Sequence, residues 1–154
     1  MVDKSLLGKE FLGPTWDIEK GKIEEFANAI EDPNPIFRDE AAAKSAGFES
    51  VPAPLTFLVT EIFHFDEKTP RPDYKVDLRR ILDGGTEYEY IKPVLAGDTI
   101  TSNTKVAEIY EKQGRRGGTM TFLVAETTFK NQKGEVCVKS RGTLIETSQT
   151  PTSG

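Results

Sequence analysis

The 154-residue chain is short of the residues on which many small sites are built: it has one Cys (Cys137), one His (His64) and one Trp (Trp16). A single Cys excludes an internal disulfide and a cysteine-rich zinc site, and fits a reducing compartment, so a cytoplasmic location is expected. A single His excludes two-His metal motifs and confines imidazole chemistry to position 64, so neither metal nor resident cofactor is expected. No apolar run approaches the ~20 residues of a membrane span, and the opening residues do not read as a secretory leader. Positive charge is the minority sign, 20 Lys and Arg against 25 Asp and Glu. That balance argues against nucleic acid or an anionic membrane surface as partner. What is left is the composition of one soluble domain, long enough to bury a core without staples.

Residues 1–8 and 147–154 lack a sustained apolar pattern and are expected to be a frayed start and a disordered tail around a domain at 9–146. Inside it, Ile23, Phe26, Ala27 and Ile30 recur at helical spacing until Asp32-Pro33-Asn34-Pro35 removes backbone donors. A short second helix is expected from Asp39 as N-cap to Gly47 as stop. The most apolar stretch, Pro52 to Phe65, reads as a helix started by Pro54 and buried on several sides. Four segments rich in Thr, Val, Ile, Tyr and Phe then read as strands: Thr86–Ile91, Thr99–Ile109, Thr119–Lys130 and Glu135–Glu146. Short turns between them imply an antiparallel meander. Helices first and strands afterwards give an α+β fold class, a sheet wrapped around a greasy helix.

Three segments, in this order and spacing, carry a resemblance: F-A-N-A-I-E-D-P-N-P-I-F at Phe26–Phe37, A-P-L-T-F at Ala53–Phe57, and Y-I-K-P-V-L-A-G-D at Tyr90–Asp98. Together they resemble the MaoC-like hydratases and dehydratases of the hot-dog fold, in particular those with an N-terminal MaoC-type dehydratase domain, from about Gly8 to Glu146. The resemblance implies a single hot dog, an antiparallel sheet around a long central helix, that pairs with a second one. It implies a substrate carried as a coenzyme A or acyl-carrier-protein thioester, hydrated at a trans-2-enoyl chain or dehydrated at a 3-hydroxyacyl chain. Such chemistry needs a base for the water attacking C3, an acid for C2 and a donor for the enolate-like oxygen.

In the family the acid and base come from D-x-N-P-x-H. Here Asp32, Asn34 and Pro35 match, but Phe37 stands where the His belongs. A benzyl ring transfers no proton, and loss of one general acid/base costs about 100-fold to 10,000-fold. Leu55 falls at the family's oxyanion-donor position, and Leu55, Thr56 and Phe37 are the expected substrate contacts, with Asp32 and Asn34 as the remnant of the catalytic set. His64, more than two turns along the expected helix, reads as a rim residue. Asp83-Gly84-Gly85 reads as a strand-entry turn, Arg115-Arg116 as an exposed hairpin tip and Cys137 as a structural thiol.

The resulting expectation is an acyl-binding subunit of a hydratase or dehydratase, a homodimer or a heterodimer with a catalytic MaoC-like chain; dyad-lacking subunits of heterodimeric dehydratases are the family precedent. Two other readings stay open: a non-catalytic homodimer that binds an acyl ligand, and a hot-dog thioesterase in which Asp32 assists attack at C1.

Overall fold

In the strand Thr99–Gln113 the buried residues alternate from Ile100 to Val106: Ile100, Ser102, Thr104 and Val106 point one way while the exposed Thr101 and Lys105 point the other. That period of two makes a sheet with one covered face and one wet face. In this computed structural model, which describes residues 2–114 and 118–148, five strands form one antiparallel sheet. They are β1 (Glu10–Asp17), β2 (Ile81–Tyr90), β3 (Thr99–Gln113), β4 (Thr119–Lys130) and β5 (Val136–Thr147), in the order β1-β3-β4-β5-β2. The wet face carries ion pairs, among them Arg141 with Glu108 and Glu126.

The expected meander holds for β3, β4 and β5; β2 pairs with β5 rather than with its sequence neighbour β3, and forms an edge. β1 was not expected. Its Pro14 gives no ladder hydrogen bond and follows a glycine. The structure accommodates both residues where the register against β3 shifts, between Leu12 and Thr15, on an edge strand.

The covered face has two apolar clusters. The larger joins Ile100, Phe129, Cys137 and Val138 of the sheet to Trp16, Ile18, Phe57 and Leu58, and to Ile23 of helix α1 (Lys20–Ala29). Ile23 and Ala27 are fully buried on α1, as their spacing demands. Helix α2 (Glu40–Ser45) is capped by Asp39, whose Oδ1 accepts from Ala42 N–H at 2.7 Å, and is followed by Gly47 at φ 95°. The smaller cluster sets Val106 and Leu123 against Val2, Leu6, Tyr74 and Val76. Residues 2–8 are therefore not frayed: Val2 and Leu6 are each only 5% exposed, and Lys4–Leu6 forms a single helical turn. Two apolar side chains four residues apart suffice to dock a segment too short to show a periodicity. At the other end, Thr147 closes β5 and Ser148 N–H donates to Thr119 O at 3.0 Å, so these two residues are part of the fold. Residues 149–154 and the Arg115-Arg116 pair lie outside the described residues.

The central element is the largest departure in detail. Phe57–Phe63 forms seven residues of 3-10 helix, not a long α-helix, and Thr56 ahead of it is left-handed at φ 71°. Val59, Thr60 and Ile62 are β-branched and Phe57 and Phe63 aromatic, the side chains that lose most rotamer freedom against a preceding helical turn. Long 3-10 runs are uncommon, and tertiary contacts hold this one. The chief polar contact is Glu61, whose carboxylate accepts a hydrogen bond from the fully buried Ser102 hydroxyl of β3. Gly13 makes room for the pair: a Cβ there would collide with Ser102 Oγ and stand 2.9 Å from Glu61 Oε1.

Burial pushes the Glu61 carboxyl above its usual range, with the Ser102 hydrogen bond opposing the shift. A carboxyl raised in the folded state stabilises fully only below the unfolded carboxylate range. That contribution is lost as pH rises through the folded value. Glu61→Gln is therefore expected to raise the melting temperature at pH 7–8 and to change it little near pH 4. A thermal shift independent of pH would contradict this account. Gly13→Ala is expected to lower the melting temperature at both pH values, because it displaces the pair whatever its charge.

Candidate functional site

The loop after α1 is built from its own side chains. Asp32 Oδ1 accepts from Asn34 N–H at 2.9 Å and Asn34 Oδ1 from Ile36 N–H at 3.2 Å, two consecutive turns of the kind Asp and Asn favour beside proline. Arg38 straps the loop to α1, donating to Asn34 O at 3.0 Å and to Asn28 Oδ1 at 2.7 Å. The result is a short helical turn, Pro35–Phe37, that delivers Phe37 inward against the larger apolar cluster.

Phe37 there forms one wall of a cavity of about 410 Å³. The other walls come from Phe48, from Pro52–Leu58 and from the Tyr88–Val94 segment, with Val138 at the base. Three expected contacts, Phe37, Leu55 and Thr56, are thus brought together. Asp32 and Asn34 do not line the cavity; their side-chain oxygens cap the backbone of their own loop.

Thr56 N–H donates to Tyr90 Oη at 3.1 Å, and Tyr90 stacks on Tyr88 with ring centroids 6.0 Å apart. A non-glycine residue at positive φ carries strain that the surroundings must hold in place, and here Tyr90 holds it at the mouth of the cavity. Leu55 beside it leaves 65% of its surface in solvent. Sequence reading missed both tyrosines. Their signal was the period of two in the E-Y-E-Y run Glu87–Tyr90, which places both rings on one face.

The chemistry of the lining is one-sided. Among the described residues that form it, the ionisable groups are Tyr88, Tyr90 and Lys92, with no carboxylate and no imidazole. Lys92 is paired with Glu135, and burial raises the Tyr88 hydroxyl further above neutral pH. The lining can therefore take an apolar chain and offer hydroxyl hydrogen bonds, but brings neither a carboxylate nor an imidazole to it.

His64 is elsewhere. It lies flat on Trp16, ring centroids 5.1 Å apart and planes 14° apart, on a separate groove of about 580 Å³ between α1 and the central turn. Burial lowers its pKa, with the charge of Glu19 opposing the shift. Asp83 Oδ1 accepts from Gly85 N–H at 2.8 Å, and the expected strand-entry turn is instead a bulge inside β2, where the register against β5 shifts. Cys137 is fully buried and burial raises its thiol, as a structural role requires. Among the described residues no group of three or more His, Cys, Asp and Glu is placed to hold a metal ion, and no helix is long and apolar enough to cross a membrane.

Comparison with known proteins meets this geometry. Residues 5–140 match the family model described as the FAS1-like dehydratase domain region. The chain is 31% identical over 152 residues to a UPF0336 protein of Thermobifida fusca, covering 97% of each chain. Among solved structures it superimposes on the C-terminally truncated HadBC (3R-hydroxyacyl-ACP dehydratase) complex from Mycobacterium tuberculosis with a TM-score of 0.75 at 26% identity, covering 91% of this chain and 96% of that one. The ChsH1-ChsH2 complex from the same organism shares the fold, with a TM-score of 0.74 at 19% identity over 95% of this chain and 85% of that one. With nearly the whole domain inside the matched region, and an antiparallel sheet closed over a central turn, the chain belongs to the FAS1-like dehydratase-region family and is a MaoC-like protein of the hot-dog fold.

Proposed function

We propose that the protein is the acyl-binding subunit of an enoyl-thioester hydratase or 3-hydroxyacyl-thioester dehydratase. In this reading a second MaoC-like chain with an intact Asp/His pair does the proton transfer. The observation that carries it is the cavity itself: apolar, of a size to take an acyl chain, and lined by Phe37 where the family motif has its acid/base. Ligand pockets are typically ~300–1,000 Å³ and mostly apolar with a few placed polar groups. No prosthetic group is needed, since hydration of an enoyl thioester is an acid–base and electrostatic problem.

In the reaction direction of hydration, the partner's base takes a proton from water as its oxygen attacks C3. The electron pair of the double bond moves toward the thioester oxygen, and a proton is returned at C2. This chain's part is to bury the acyl tail, exclude water from it and hold it in register with the partner's groups. The surface near the cavity favours a partner. Leu55, Val59, Phe63 and Ile91 are exposed large apolar residues, and the outer edge of β2 has no strand beside it among the described residues. Both superimposed complexes are named as pairs of chains, which supports dimeric assembly. A cytoplasmic setting, where acyl thioesters are handled and a lone thiol stays reduced, is part of the proposal. The thioesterase reading would require the Asp32 carboxylate to leave the Asn34 amide that it caps.

The purified chain alone is expected to hydrate crotonyl-CoA at no more than a trace. Addition of a MaoC-like chain carrying the Asp/His pair is expected to restore turnover together with a shift to a heterodimer in size-exclusion chromatography. Turnover of the isolated chain at an ordinary enzymatic rate, ~1–1,000 s⁻¹, would overturn the proposal. Bound acyl ligand without activity in any pairing would instead favour a homodimeric binding protein.

Phe37→His returns an imidazole to the motif position. It is expected to raise the hydration rate of the folded chain by about 100-fold over wild type, the lower end of what one general acid/base contributes. Steady-state kinetics on crotonyl-CoA, with circular dichroism as the folding control, checks this. No gain in a folded variant would mean that the loop does not present position 37 to the reacting carbons.

A further inference from the structure

A polar row crosses the middle of the sheet's covered face. Thr104, Thr127, Ser140 and Tyr88 are successive register partners on β3, β4, β5 and β2, so their side chains form one rung across four strands. Thr104 and Thr127 share a hydroxyl–hydroxyl hydrogen bond of 2.8 Å. Ser140 and Tyr88 are half-buried and their hydroxyls make no hydrogen bond among the described residues. In the adjacent row on β3, opposite Phe129, Ser102 is hydrogen-bonded to Glu61, whose charge is felt by Tyr88 and by Tyr74.

Cavities flank the rung. On one side, Tyr90 and Val138, the next register pair on the same face, line the 410 Å³ cavity together with Tyr88. On the other side, Thr86 and Gly142, the following pair, line a second cavity of about 200 Å³ with Ala125, Leu123 and Tyr74. The two spaces are therefore successive along β2 and β5, with only the Tyr88–Ser140 pair between them. Glycine and alanine at 142 and 125 leave the second space open where larger side chains would fill it.

A chain of methylenes laid across such a rung would bury two hydroxyls without partners, and an unsatisfied buried hydroxyl is disfavoured far more than a satisfied one is favoured. An oxygen on the chain at that depth removes the penalty. We propose that the two cavities are consecutive segments of one acyl channel, and that the Thr127–Ser140–Tyr88 rung selects acyl thioesters bearing a hydroxyl or keto oxygen some carbons beyond the reacting C2–C3 end. This rests on the acyl-binding reading above and specifies its substrate class. A site built to hydrogen-bond a substrate oxygen rejects the analogue lacking it more strongly than an apolar pocket rejects an extra methylene.

The test is isothermal titration of the purified protein, in its native assembly, with coenzyme A thioesters of one chain length. One is saturated and unsubstituted, and the others carry a single hydroxyl at successive positions along the chain. One hydroxyl position is expected to bind about tenfold tighter than the unsubstituted chain, the size of one added hydrogen bond. Ser140→Ala and Tyr88→Phe, which remove hydroxyls and little volume, are each expected to reduce that ratio toward one. Equal affinity for all positions overturns the selectivity and leaves the acyl-binding reading standing. A preference that survives the Ser140→Ala, Tyr88→Phe double variant overturns the assignment to this rung. No binding of any thioester overturns both.

Discussion

A five-stranded sheet with one apolar face must be covered, and everything else in this chain follows from how little material it has for the task. The covering comes from short pieces, among them the 2–8 segment, α1, the 74–76 stretch and a seven-residue central turn. None is long enough to be stable by itself, since isolated helices of this size are marginal in water. Each is held by what it buries. The consequence is incomplete coverage: Phe57 and Leu58 close the larger cluster on one side and wall the cavity that stays open beside β2 on the other.

The same economy explains the polar features inside. A long apolar helix would need no hydrogen bond to the sheet, whereas this turn is fastened by Glu61 to Ser102 and by the Thr56 amide to Tyr90. A raised carboxyl under the sheet is a cost at neutral pH. Its retention goes with a central turn that replaces an α-helix and with a glycine at position 13 that leaves space for the pair. The tyrosine contact does two things at once: it holds a left-handed residue and it shapes the mouth of the cavity.

The strands β3, β4 and β5 and the helices α1 and α2 were legible because each carries its own period and its own stop signals. The Asp39 cap and Gly47 stop are local chemistry, and local chemistry survives folding. β1 was hidden by Gly13-Pro14, whose meaning depends on an edge position that no window of sequence contains. The central turn was misjudged in length because Pro54 and a greasy run suggest a helix, while β-branching and the strain at Thr56 act only in context. Of the site, Phe37 was readable at its motif position, and it lines the cavity. The turn-capping duty of Asp32 and Asn34 was visible in their residue types, but their place beside the cavity rather than in it was not. Tyr88, Tyr90 and Glu61 went unnoticed because their roles are relations between elements far apart in sequence.

Removing an acid/base from a pocket does more than abolish a proton transfer. An ionisable group must stay hydrated or partnered, so it keeps water and polar atoms near the acyl chain. With Phe37 in the wall, that requirement disappears, and the cavity can be apolar down to Val138. In the proposed assembly the two chains would divide incompatible demands. One keeps a solvated acid–base pair poised near neutral pH, and the other buries a long tail away from water. A single short hot dog that tried both would have to place a charged or titrating group against its thinnest cover, beside the edge strand and the central turn. The polar rung at Ser140 and Tyr88 then stands out physically: neutral hydroxyls discriminate along a buried chain without carrying the desolvation cost of a charge.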